Sequence, residues 1–427
     1  MIVRTRVRKR SGRVSRLVII CGLHAILAPA AYAAEYTRSP ETYIGALASL
    51  SAGDRLRLAP GIYRDGLPIR NRHGEPARPI VIEGPSSGPP AVLLARAGHN
   101  TISLRQSSHL VIRNLLIDGA NVGVDAIKAE WDGGLVHHIT LEGLTIIGHG
   151  IDQGVNGIST KTPAAFWTIR NNVIIGAGTG MYLGNSDGNA PFIAGVIEGN
   201  LVVDTVGYNV QIKHQRGRPA LEGLPGTAQR TVIRGNFFSK AENASAGQMA
   251  RPNLLLGHFP LEGPGSNDEY LVTENVFYAN PVESLLQAEG NVVIDWNVFI
   301  NPVGNAVSIQ PHNDLPRHIE ITHNFILAAG YGIRLQGAAP GYTQLVSANR
   351  EFTGTATQGN NPAPPVVSTE EEQIAFREWL KLAPTSDGRG VQRAIVAALR
   401  MACARDRGTS PPPPGLIPQT HFVCQRL

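Results

Sequence analysis

An asparagine-centred pattern recurs along most of the chain and constrains it more than any other feature. Eight segments share the form apolar, x, apolar, x, x, Asn, then three mostly apolar residues. Seven centre on Asn114, Asn172, Asn200, Asn236, Asn275, Asn297 and Asn324, and in the eighth, Ile139 to Ile147, Gly143 takes the asparagine place. Successive centres lie 29, 29, 28, 36, 39, 22 and 27 residues apart. A period in the twenties that grows only by insertion is the mark of a solenoid. Val, Ile and Phe dominate the repeats and no ten-residue helix reads between them, which disfavours helical and leucine-rich repeats. The pattern predicts an all-β parallel β-helix, with an internal ladder of asparagines bonded to the backbone of neighbouring coils and no catalytic role for them.

A second strand follows most of these asparagines by 12 to 14 residues. Aligned by apolar alternation, these strands include Ser103-Leu104-Arg105, Ala126-Ile127-Lys128, Ser159-Thr160-Lys161, Tyr182-Leu183-Gly184, Gln211-Ile212-Lys213, Leu255-Leu256-Gly257, Leu285-Leu286-Gln287 and Arg334-Leu335-Gln336. The middle residue faces the core and its neighbours face out. One outward column of Arg105, Lys128, Lys161 and Lys213 is therefore predicted, with a gap at Gly184. A lone outward lysine on a solenoid is ordinary solvent-facing charge, and Lys128 reads that way as readily as any other. Lys213 has company: His214, Gln215, Arg216 and Arg218 follow it, and Gly217 to Gly226 lengthen the coil into an insertion of the kind that walls a groove. Lys161, Tyr182, Gln211, His214, Arg218 and Arg334 are the candidate substrate contacts on this face.

The two ends read differently from the middle. Residues 1–33 have a basic start, an apolar run from Leu17 to Leu27 and Ala31-Tyr32-Ala33, which describes a secretory signal peptide better than a membrane anchor. The leader holds seven of the 38 Lys and Arg, leaving 31 against 33 acidic residues, a net charge of −2. Nucleic acid loses its support as a partner, and no membrane anchor is expected after cleavage. The expected location is periplasmic or secreted, and a monomer is expected. Residues 34–345 form the solenoid, 346–367 a Pro-rich linker, and 368–427 a helical extension covering the C-terminal end. Cys403 and Cys424 are most simply a disulfide in an oxidising compartment, with two free thiols as the alternative.

Glu41 to Leu50 carries a short amphipathic pattern, followed by the strand and turn Ala52 to Tyr63 and the strand Arg78 to Gly84. With Gln211-Ile212-Lys213, Asn236-Phe237-Phe238 and Leu254 to His258, this order of coils resembles polysaccharide lyases of the chondroitinase B and alginate lyase type. The resemblance implies a right-handed parallel β-helix with a short N-terminal capping helix. It also implies β-elimination on a uronic-acid polymer, an acidic polysaccharide. It places the family's lysine base on Lys213 and the family's arginine on Gly257, beside His258, so that Arg216, Arg218 or Arg251 would stand in. The family's acidic calcium ligands fall on Asn209 and Gln211, which are weak calcium ligands when uncharged. No cofactor and no metal site are therefore expected.

The chemistry fits these residue types. β-Elimination needs a base for the proton next to the carboxylate, a cation for the carboxylate and a proton donor for the leaving oxygen. Crowding Lys213 among Lys161, Arg216 and Arg218 would lower its pKa toward working pH. A glycoside hydrolase of this fold needs two carboxylates about the bond, but Asp118, Asp125, Asp152 and Asp187 stand singly, and His149 of Gly148-His149-Gly150 reads as a turn residue. A uronate C5 epimerase shares the proton abstraction. A binding-only β-helix would use Tyr182 and Tyr208 as stacking platforms.

Overall fold

The computed structural model describes residues 33–355 apart from 132 and 133. The signal peptide, most of the linker, and the helical extension with Cys403 and Cys424 lie outside the described residues. Short strands wind through three parallel sheets in strict rotation. One coil runs from Ile80–Glu83 in the first sheet, through Ala91–Leu94 in the second, to Ile102–Arg105 in the third, and Ser108–Arg113 then returns to the first. Each strand pairs in parallel with its counterpart one coil away, giving sheets of 14, 11 and 10 strands. This is a parallel β-helix. Its strands continue past residue 345, through Gln344–Ser347 and Arg350–Thr355.

Alternation explains the core. Ile82, Ile112, Leu141, Ile169, Ile197 and Ile233 stack on one another from successive first-sheet strands and are almost fully buried. Burying such a side chain is worth roughly 1.5–3 kcal/mol. In the C-terminal coils the second sheet adds an aromatic stack, with ring centroids 5.2 Å apart for Phe238 and Phe277 and 4.7 Å for Phe277 and Phe299. The single α-helix among the described residues, Tyr43–Ser49, buries Tyr43, Ala46 and Leu47, and the Tyr43 hydroxyl donates to Gly66 O at 2.9 Å. Among the described residues no helix is long and apolar enough to cross a membrane.

The asparagine ladder exists, one register step away from part of its expected course. Between the first and second sheets every coil turns through one residue of positive φ. Asn114 (φ 56°), Gly143 (φ 60°) and Asn171 (φ 54°) are examples. The ladder residue is the next one along, so Asn114 and Gly143 belong to the turn and the ladder positions beside them are Leu115 and Leu144. From Asn172 onward the rungs are Asn200, Asn236, Asn275, Asn297, Asn324 and also Asn349. Asn236 is typical. Its Oδ1 accepts from Asn200 N and Nδ2 at 2.9 Å, and its Nδ2 donates to Ile197 O at 2.9 Å and Asn275 Oδ1 at 2.8 Å. The corner backbone and the amides thus satisfy each other without water.

Candidate active site on the third sheet

Register decides which side chains share the outer face of the third sheet. Ile102 pairs Ile127, so Lys128 aligns with Ser103, not with Arg105 as alternation alone suggested. Leu254 likewise pairs Leu286, which aligns Gln287 with Leu255. Both are two-residue slips, invisible to alternation because they preserve the face. The observed columns are Ser103, Lys128, Ser159, Tyr182, Gln211, Leu255, Gln287, Ser308 and Arg334, and, two residues further on, Arg105, Glu130, Lys161, Gly184, Lys213, Gly257 and Glu289. The backbone N–H groups of the second column mostly extend the ladder, as in Lys161 to Ala129 O and Lys213 to Leu183 O, both 2.8 Å.

Two glycines hold the space around Lys213. Gly184 has φ 91°, and a Cβ there would lie 3.2 Å from Lys213 Cβ. A Cβ on Gly257 would meet His214 N at 2.2 Å, so the backbone of the next coil closes on Lys213-His214. The Lys161 ammonium then sits 3.3 Å from the centroid of the Tyr182 ring, with that of Lys213 at 5.9 Å from the same ring. Neither lysine makes an ion pair among the described residues. Burial pushes Lys161 down to about 8, with Lys128 and Lys213 adding to the shift and Asp125 opposing it. Burial also lowers Lys213, with Glu289 opposing and Arg251 reinforcing. The phenols of Tyr182 and Tyr208 are pushed up, again chiefly by burial, and stay protonated.

Beside Lys213 opens a cavity of about 300 Å³ whose wall includes Tyr208, Gln211, Lys213, Arg251, Glu283 and Glu289. Arg251 is half-buried, donates through Nη1 to Gln248 O and Ala250 O, and has its guanidinium 5.8 Å from the Tyr208 ring. Its own carbonyl accepts from Lys240 Nζ at 2.8 Å and Asn280 Nδ2 at 2.9 Å. Lys240 is fully buried, and desolvation, aided by Arg251, pushes it down to about 7. Glu289 is 1% exposed, accepts from Asn313 N and Nδ2 at 3.0 Å, and is raised by burial. Acidic groups therefore do accompany the Lys213 strand. Lys240, Glu283 and Glu289 carried no signal by local pattern. Glu289 was hidden by the register slip, and the other two come from loops.

The structure gathers Lys161, Tyr182, Gln211, Lys213 and Arg251 on one stretch of the face and separates others from it, among them His214, whose ring lies against Gly188 beside Arg216. Arg218 is a correction. Its side chain is 4% exposed, with Nη2 on Asp268 and Nη1 on Pro225 O and Thr227 O, so it pins the insertion rather than facing the groove. Arg216 is exposed, with its N–H on Gly188 O. His258 is 6% exposed with its Nε2 unpartnered, and burial, followed by Arg317, lowers its pKa. Arg334 lies four strands beyond Gln211, roughly 19 Å at ordinary strand spacing, over the Tyr331 ring. Asp125 is buried, accepting from Asn156 and Ser159, with Lys128 3.5 Å away. His149 is buried, with Nδ1 2.9 Å from Val124 O, just past the strand Thr145–Ile147 and away from the Lys213 face.

No family model and no curated protein sequence matches the chain. Among solved structures, it is similar to an alginate lyase from Paenibacillus sp. str. FPU-7 (17% identity, TM-score 0.49, covering 76% of this chain and 98% of that one). It is similar as well to pectate lyase Pel9A (12%, TM-score 0.43, 79% and 83%). A third is the A-module of the Azotobacter vinelandii mannuronan C-5 epimerase AlgE4 (17%, TM-score 0.39, 77% and 93%).

Proposed function

We propose that this chain is an exported, monomeric polysaccharide lyase that cleaves a uronic-acid polymer by β-elimination. The observation that carries the reading is the pair Lys161 and Lys213: half-buried, without a carboxylate partner among the described residues, depressed in pKa, and flanking one tyrosine ring beside a cavity that Lys213 and Arg251 line. Lys213 in its free-amine form takes the C5 proton, and the electron pair forms the C4–C5 double bond as the C4–O bond breaks. Arg251 faces the substrate carboxylate, and the Tyr208 phenol protonates the leaving oxygen.

Incubation with alginate, polygalacturonate, glucuronan and glycosaminoglycans, with and without chelator, tests this directly. The expected result is ultraviolet absorbance from unsaturated uronate on one polymer, with chelator present, and its loss in Lys213→Ala. A second reading rests on Glu283 and Glu289, two carboxylates on the same cavity, which is what hydrolysis requires. New reducing ends without absorbance, abolished by Glu289→Gln and not by Lys213→Ala, would establish hydrolysis instead. Solvent deuterium entering C5 without chain cleavage would establish epimerisation.

A further inference from the structure

Away from the third sheet, four histidines from successive coils meet on the first. Ser108 pairs His137 and Leu110 pairs Ile139, so His109 and His138 occupy the same kink, at φ 53° and 52°. The kink recurs one coil on at Phe166, φ 57°. It stacks the rings, with centroids 4.4 Å apart for His109 and His138 and 4.7 Å for His138 and Phe166. Consecutive residues of a regular strand point to opposite faces. The positive φ at His138 cancels that alternation and brings its Nδ1 within 2.7 Å of His137 Nδ1.

An aromatic column accounts for His109, His138 and Phe166 but not for His137, which stands edge-on to both histidines at 82° and 78°. One ring nitrogen from each of the three histidines lies within 4.8 Å of the others, the sole such convergence of three or more His, Cys, Asp or Glu among the described residues. His73 joins from the preceding coil, with Nδ1 3.1 Å from Ser108 Oγ. A Cβ on Gly223 would lie 3.9 Å from His137 Nε2, so the insertion after Lys213 covers that edge and leaves Nδ1 on the side of His138.

We infer that His109, His137 and His138 bind one zinc-class divalent ion. Imidazole nitrogen suits zinc, copper and nickel, whereas calcium and magnesium require oxygen. Three histidines leave the fourth tetrahedral position for water or an exogenous ligand. Ligand nitrogens about a tetrahedral zinc lie roughly 3.3 Å apart given its bond lengths, so small side-chain rotations are needed both to widen the 2.7 Å contact of His137 with His138 and to narrow separations of up to 4.8 Å.

The test uses the full chain produced without an affinity tag, equilibrated with zinc, dialysed and analysed for bound metal by mass spectrometry, alongside thermal melts with and without zinc. The expected result is one zinc per chain and a zinc-dependent rise in Tm. His138→Phe continues the ring column into Phe166 and so keeps the fold. It is expected to lose the zinc and the Tm rise while matching wild type in zinc-free melts, and His137→Gln is expected to do the same. Zinc at the buffer blank in wild type, or full stoichiometry retained in both variants, would overturn the inference.

Discussion

On the first sheet, Arg57, Glu83, Arg113, Glu142, Arg170, Glu198 and Arg234 are register partners in that order, an outward column of strictly alternating sign. Contacts such as Arg57 to Glu83 at 3.0 Å and Arg234 to Glu198 at 2.7 Å tie it together. On the third sheet the comparable stretch reads Lys161, Gly184, Lys213, Gly257, with like charges separated by absent side chains and, among the described residues, no carboxylate paired to either lysine. The first arrangement satisfies charge locally and asks nothing of a ligand. The second holds two cations in a half-buried place that disfavours them, the kind of local cost that functional sites carry.

The sharpest way to break this contrast is Lys213→Ala. Turnover is expected to fall by ~10²-fold or more, the scale of a general base, with no loss of thermal stability. Lys213→Arg is expected to fail almost as badly, because a guanidinium does not give up its proton at working pH. Steady-state kinetics on the polymer found by the screen checks both.

Glu83→Gln strikes the paired column where it is most buried. Burial alone would raise this carboxyl, but hydrogen bonds from Arg113, Arg55 and Arg57 outweigh it and hold it below the usual range. The loss is expected to be about 2 kcal/mol of stability, the scale of charge-assisted hydrogen bonds, with kcat unchanged. Because the folded value is the lower one, this contribution is present above the unfolded pKa and disappears as pH falls through the folded value. Urea melts at neutral and acid pH measure it.

Smaller effects sharpen the third-sheet half. Glu289 opposes the depression of Lys213, so Glu289→Gln is expected to lower that pKa further and move the rising limb of the rate profile to lower pH. Folded Lys161, at about 8, binds its proton less tightly than the unfolded chain, so wild-type stability rises with pH from about 8 to the ordinary lysine range. Lys161→Met is expected to raise Tm at pH 7, with the gain shrinking toward pH 10. Smallest of all, Arg234→Gln removes an exposed partner and is expected to cost no more than about 0.5 kcal/mol, with activity intact. A large activity loss there would mean that the paired column also serves the site.

Periodicity made the solenoid legible, because strands of β-branched residues and a polar corner amide must recur at each coil for stacked backbone to be satisfied. Lys213 was legible through its neighbours. The three histidines were not, since 28 residues separate His109 from His137. Lys240 and Glu283 were not either, since neither lies on an alternating pattern.

By itself, then, the sequence determined that the chain coils, where Asn172 to Asn324 sit, and that the basic face follows Gln211-Ile212. Tertiary structure alone decided register. A shift of two residues leaves every apolar side chain facing inward, so local patterning is blind to it, yet it moves Lys128 out of the Lys213 column and Glu289 into it. The stagger between coils is set instead by insertion lengths, by the positive-φ turns at Asn114 and Gly143, and by where backbone can close over Gly184 and Gly257. Those are contacts between residues far apart in the chain, and they exist only once the coils are stacked.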